Sequence, residues 1–215
     1  MNITELLLRL RLKEIGFGKM LDENIINEIK EYASVNNVPI MNDEGIEFLT
    51  DYISKNNVSK ILEIGAAIGY SAIMMCNIDK DITVTTIERD LDRYSEAVKN
   101  IKKLNLEDRI NIIYGDALEA TFDGTYDLIF IDAAKAQNKK FFERFKDNLS
   151  KDGTIITDNM NFHGLVNTEE RIESRNLRQL VRKIKDYTEF LKDNKEFKTE
   201  FLNIGDGVAI SKKVE

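Results

Sequence analysis

Residues 60–71 read KILEIGAAIGYS, and this stretch decides the fold. Ile61, Leu62 and Ile64 make an apolar strand that runs straight into Gly65, and the spacing Glu63-x-Gly65-x-x-x-Gly69 turns the chain toward a helix. Glycine serves where backbone must bend tightly or let a ligand approach closely. A strand, turn and helix in this order set backbone N–H groups beside a nucleotide-like ligand. The next strand, ITVTTIE, closes on Glu88, where a carboxylate can accept hydrogen bonds from ribose hydroxyls. The spacing is not GxGxxG, and an adenosine ligand without a pyrophosphate needs no such cradle. S-adenosylmethionine is therefore expected ahead of NAD.

Working outward, strands are expected at Lys60–Ile64, Thr83–Glu88, Ile110–Tyr114, Tyr126–Asp132, Thr154–Asp158, Thr199–Ile204 and Gly207–Ser211. Helices are expected between most of them, at Tyr70–Asn77, Asp90–Leu104, Asn138–Leu149 and Thr168 to about Asp193. Strand–helix alternation means an α/β fold with a mostly parallel sheet. IFID and TIIT are nearly continuous apolar runs, as strands covered on both faces should be. The last two strands meet at Gly205-Asp206-Gly207 with no room for a crossover helix, so they form a hairpin and one of them runs antiparallel. Upstream, Ile3, Leu6, Leu7 and Leu10 keep helical spacing, and further helices are expected near Asp22–Val35 and Asn42–Lys55, on either side of a turn at Pro39. The chain reads as one domain, a helical cap over 1–57 on a Rossmann-like core over 58–215.

In open α/β sheets ligands sit beyond the carboxyl ends of the strands. That edge collects Gly65 and Gly69, Glu88, Gly115-Asp116-Ala117, Asp132 with Lys135, and Asp158-Asn159. Asp, Asn and Gly are also common turn residues, which is the plain alternative for any one of them. Asp132, Asp158 and Asn159 form the sharpest subset. Two carboxylates and an amide oxygen at neighbouring strand ends suit Mg²⁺ or another hard divalent ion. Such an ion would acidify a bound hydroxyl. Lys135 is then either the group that takes the proton, its pKa lowered by a neighbouring metal, or a surface lysine.

Composition narrows the rest. A net charge of −7 argues against indiscriminate nucleic-acid binding but allows a local basic patch. Arg171, Arg175, Arg178, Arg182 and Lys185 recur at helical spacing. They make either a solvated face, partly paired with Glu170, Glu173 and Asp186, or a phosphate-contacting face for RNA, to which Arg9, Arg11 and Lys13 could add. The single Cys76 fits a reducing compartment and a buried apolar role. The N-terminal run is interrupted by Arg9 and Arg11 and is not a secretory signal, and no stretch has the length of a membrane span. A soluble, cytoplasmic protein is expected. His163, the only histidine, carries no role here.

These residues resemble a known family. VPIM (38–41), ILEIGAAIGYSAI, TIER, YGDAL, IFIDAAKAQ, TDN (157–159) and GDGVAISKK look like the class I, cation-dependent, catechol and caffeoyl-CoA type of O-methyltransferase. Within it, VPIM, IDAAKAQ, TDNMNFHGLV and AISKK are most similar to bacterial tRNA 5-hydroxyuridine methyltransferases. The resemblance implies a seven-stranded sheet with the last strand reversed, and a homodimer. It places Met41, Gly65 and Ser71 at the methionine end of the cofactor, Glu88 at the ribose, and Asp116 and Ala117 at the adenine. It assigns Asp132, Asp158 and Asn159 to Mg²⁺ and Lys135 to the base. It implies a wobble 5-hydroxyuridine in the tRNA anticodon loop as acceptor, methylated to 5-methoxyuridine, with a small catechol or hydroxylated phenol as the alternative. The chain has no tryptophan and its Met160-Asn161-Phe162 segment is less aromatic than catechol gatekeepers, which favours the nucleotide.

Overall fold

A computed structural model describes residues 22–166, 168 and 172–214. The short helix expected over Ile3–Leu10 lies outside the described residues, as do Arg9, Arg11, Lys13, Glu170 and Arg171.

The chain runs α1 (Glu23–Val35), α2 (Asp43–Lys55), β1 (Lys60–Ile64), α3 (Tyr70–Cys76), β2 (Thr83–Glu88), α4 (Leu91–Lys103), β3 (Ile110–Tyr114), β4 (Tyr126–Ile131), α5 (Asn138–Phe145), β5 (Leu149–Thr157), α6 (Arg175–Asp193), β6 (Phe197–Leu202) and β7 (Val208–Lys213). Seven strands form one sheet in the order β3-β2-β1-β4-β5-β7-β6. The first five are parallel, and β7 runs antiparallel between β5 and β6. This is the Rossmann-like methyltransferase sheet, with the reversal that the Gly205–Gly207 hairpin demands.

Alternation splits each central strand between two cores. Ile61, Leu128, Phe130 and Ile156 pack on one face with Leu49 and Ile53 of α2 and Ile73 of α3. Leu62, Ile64, Ile129, Ile131 and Ile155 pack on the other with Phe141, Phe142 and Phe145 of α5 and Tyr187 of α6. Successive side chains point to opposite faces, so a strand buried on both sides must be apolar throughout. Glu63 breaks that rule inside β1. It is completely buried and holds two hydroxyls, Ser71 Oγ and Thr86 Oγ1, each at 2.5 Å.

Two boundaries differ most from expectation, while α5 ends at Phe145 rather than Leu149 and β6 is shifted two residues earlier. β5 begins at Leu149 rather than Thr154, because Leu149 already pairs with Tyr126 of β4 and the SKDG run falls within the register shift before Thr154 meets Leu128. α6 begins at Arg175 rather than Thr168. Ser174 caps it by accepting from Leu177 N, and Arg178 Nη1 donates back to the carbonyls of Ile172 and Glu173 outside the helix.

Candidate active site

Backbone pairing continues one residue past each central strand: Gly65 N donates to Ile87 O, Asp132 N to Ile64 O and Asp158 N to Ile131 O, at 3.0–3.1 Å. The residues that follow the apolar runs are thereby fixed at the carboxyl edge. They surround a cavity of about 410 Å³.

The β1–β2 half is built from backbone. Gly65 (φ +105°) passes so close to β4 that a Cβ on it would stand 2.2 Å from Asp132 O, so only glycine fits. Glu88 holds the turn that follows. Its carboxylate accepts from Ala67 N, Arg89 N and Asp90 N at 2.8–2.9 Å. Three bonds leave a carboxylate room for about one more donor. Ser71 sits on this side, its hydroxyl committed to Glu63, whose carboxyl burial pushes up to about 7.

The β4–β5 half is built from side-chain charge. Asp132 and Asp158 are both pushed above the ordinary carboxylate range, by burial first. The charge of Asp132 raises Asp158 further, while Lys135 pulls both back. Lys135 opens the 3₁₀ turn Lys135–Gln137, and its Nζ lies 6.0 Å from the centre of the Phe162 ring. Asn159 has φ +60°, a conformation asparagine tolerates. Among the described residues, no three His, Cys, Asp or Glu side chains gather at one point. Two under-neutralised carboxylates and an adjacent amide oxygen are nonetheless a donor set that fits a hard divalent cation, since a metal would offset the burial cost that raises both and the repulsion that raises Asp158 further.

Met41, Gly65, Ser71, Glu88, Gly115, Asp116, Ala117, Asp132, Lys135, Asp158 and Asn159 all line the cavity. Gly69 does not. It has φ +81° and caps α3, where a Cβ would meet Ala97 of α4 at 3.3 Å, so its glycine serves the turn and helix packing. Arg175, Arg178 and Arg182 stand on α6, away from the cavity wall.

Tyr70, Phe141, His163 and Asp206 also line the cavity and have no place in the sequence reading. The Gly205–Gly207 motif was legible only as a hairpin, yet its Asp206 accepts from His163 N at 2.5 Å. The rings of Phe162 and His163 lie 5.5 Å apart. The loop after Asn159 thus carries two neighbouring rings, of which His163 lines the cavity.

Comparison with known proteins adds the family context. Residues 18–214 match a family model described as O-methyltransferase. The chain is 28% identical over 194 residues to the caffeoyl-CoA O-methyltransferase of Populus kitakamiensis, covering 86% of this chain and 82% of that one. It is 28% identical over 197 residues to the flavonoid 3',5'-methyltransferase of Vitis vinifera, covering 87% and 83%. Among solved structures it superposes with a TM-score of 0.86 and 42% identity on a candidate caffeoyl-CoA O-methyltransferase from Staphylococcus aureus, covering 98% of both chains. An S-adenosylhomocysteine-bound methyltransferase from Podospora anserina, at 21% identity and TM-score 0.81, shares the fold.

Proposed function

We propose that this chain, which belongs to the O-methyltransferase family, moves the methyl group of S-adenosylmethionine to one oxygen of an acceptor bearing two neighbouring oxygens, in a reaction that depends on a divalent cation. The observation that carries this reading is the pairing of a backbone-built cradle with Asp132 and Asp158, a half-buried and a buried carboxylate left short of positive charge.

In this reading Glu88 holds the ribose with its remaining acceptor capacity, Asp116 and Ala117 border the adenine, and Met41, Gly65 and Ser71 line the methionine end. S-adenosylmethionine supplies an electrophilic methyl on a sulfonium. A cation held by Asp132, Asp158 and Asn159 supplies Lewis-acid polarisation of acceptor oxygens. The chain's own contribution is placement. The strand ends would hold donor and acceptor in line, and Lys135 stands where it would take the hydroxyl proton as a neutral amine or stabilise the oxyanion as a cation. The new O–CH₃ bond forms as the S–CH₃ bond breaks, and the cofactor leaves as a neutral thioether.

Two acceptors have the required oxygen pair. A small phenol with vicinal hydroxyls comes first, because the plant relatives are named for caffeoyl-CoA and flavonoid substrates and because the ring of His163 lines the cavity. This reverses the order expected from sequence. The second is the 5-hydroxyuridine of a tRNA wobble position, whose 5-oxygen and 4-carbonyl form a similar pair. One observation bears on it: α6, which carries exposed Arg175, Arg178, Arg182 and Lys185, packs against the 3₁₀ turn of Lys135, although none of these four side chains lines the cavity. Labelled S-adenosylmethionine, Mg²⁺ and either a catechol or tRNA from cells lacking this protein decide between them, with mass spectrometry of the product. Transfer to the catechol alone supports the first, 5-methoxyuridine the second. Transfer to neither removes the vicinal-oxygen reading.

A further inference from the structure

The turn between β6 and β7 has no part in the chemistry described so far, yet it grips the loop that carries Asn159. Met160 N donates to Gly207 O at 2.9 Å, and Asn161 N to Asp206 O at 2.8 Å. Asn161 Nδ2 donates to Asn203 Oδ1 at 2.7 Å. The approach is close enough that a Cβ on Gly207 (φ +84°) would meet Asn161 Cγ at 2.7 Å. Inside this clamp the Asp206 side chain, only 9% exposed, receives two donors. Oδ1 takes His163 N at 2.5 Å, and Oδ2 takes Asn159 Nδ2 at 3.3 Å.

An ionised carboxylate accepts and never donates, whereas an amide has one oxygen and one NH₂. A carboxylate facing Asn159 therefore selects one of the two amide orientations. With Nδ2 turned to Asp206, the other face of the amide presents Oδ1. The flipped amide would set oxygen against carboxylate and offer hydrogens where a cation needs an electron pair. We infer that Asp206 is a positioning residue that fixes the amide of Asn159 with its oxygen toward the cation site. This rests on the cation-dependent reading above. Partners that orient a metal ligand typically matter by 10–100-fold in metal affinity.

The test uses Mn²⁺ as the probe, with binding read from the electron paramagnetic resonance of free Mn²⁺ in the absence of cofactor and acceptor. In Asp206→Asn, one oxygen remains, His163 N–H claims it, and the new NH₂ faces Asn159 and favours the flipped amide. The expected result is Mn²⁺ affinity weakened about 10–100-fold, with S-adenosylhomocysteine affinity within about 3-fold of the starting protein. The discriminating arm repeats this in an Asn159→Asp background. A carboxylate there has an oxygen on either side and needs no orienting, so adding Asp206→Asn should change Mn²⁺ affinity by less than about 3-fold. Unchanged binding in the single variant overturns the inference. So does an equal loss in both backgrounds, which would mark a merely structural turn. Failure of the unsubstituted protein to take up Mn²⁺ overturns the cation reading and this inference together. Should Asp206→Asn not fold, Asp206→Ala, which removes the acceptor that faces Asn159 Nδ2, carries the same pair of expectations.

Discussion

The two halves of the cavity solve the same problem, placing polar groups at the end of a buried sheet, in opposite ways. On the β1–β2 side the polar groups are satisfied in advance. Glu88 already holds three backbone N–H groups, and Gly65 meets the neighbouring strand with no space to spare. On the β4–β5 side Asp132 and Asp158 share a buried edge, with Lys135 beside both and the Asn159 N–H on Asp158 to offset their charge. A half whose groups are paired is a rigid template. A half with surplus negative charge waits for a positive partner. The cofactor cradle should therefore work without a cation, and the acceptor side should not.

The hardest blow to this contrast falls on the charged half. Asp158→Ala is expected to lower kcat/KM for methyl transfer by about 10³-fold, since a lost cation removes several kcal/mol of stabilisation. Calorimetry should find S-adenosylhomocysteine binding within about 3-fold of the unsubstituted protein. A parallel loss of cofactor affinity would mean the halves are not separable.

Gly65→Ala attacks the rigid half. The added Cβ meets Asp132 O, and positive φ suits alanine poorly. Urea unfolding should show about 2–4 kcal/mol lost stability from strain and overpacking, with cofactor affinity lost as well.

Glu63 sharpens the comparison, because it is a buried carboxyl on the rigid side. Burial raises its carboxyl from an ordinary 4.5 in the unfolded chain to about 7 in the folded one. Between those values the folded state holds the extra proton, so stability is full below about 4.5 and falls as pH rises toward 7. Glu63→Gln should remove about 3 kcal/mol of that decline, read from urea midpoints taken from pH 4.5 to 8 in EDTA. The slope that remains belongs to Asp132 and Asp158, and excess Mg²⁺ should flatten it.

The smallest effect concerns the acceptor. If RNA is used, Arg182→Glu and Lys185→Glu should each reduce the salt dependence of tRNA binding by about one unit of slope. Transfer to a catechol should not change. Equal effects on both acceptors would assign these residues to folding.

How much of this was legible follows from the same physics. Strands β1 and β4 announce themselves because burial on both faces leaves almost only apolar residues, and the residue that follows each strand, Gly65 or Asp132, marks the ligand edge. That is why Gly65, Glu88, Asp132, Asp158 and Asn159 could be read together. The start of α6 was missed because helical spacing of Arg171, Arg175 and Arg178 continues through a segment where Ser174 caps the helix. Asp206 and His163 were missed for a different reason. Their role arises from contact between a hairpin and a loop over forty residues apart, and no local pattern encodes it. Glu63 did leave a signal, a lone acid inside an apolar strand, but its partners Ser71 and Thr86 appear only once the strands are paired.

The central claim is that methyl transfer requires a cation at Asp132, Asp158 and Asn159 while cofactor binding does not. The most direct measurement is transfer from labelled S-adenosylmethionine to an acceptor, in Mg²⁺ and in EDTA, with cofactor binding followed in the same samples. Transfer abolished by EDTA, restored by Mg²⁺, and cofactor affinity unchanged is the expected result. Transfer that continues at full rate in EDTA would contradict the account.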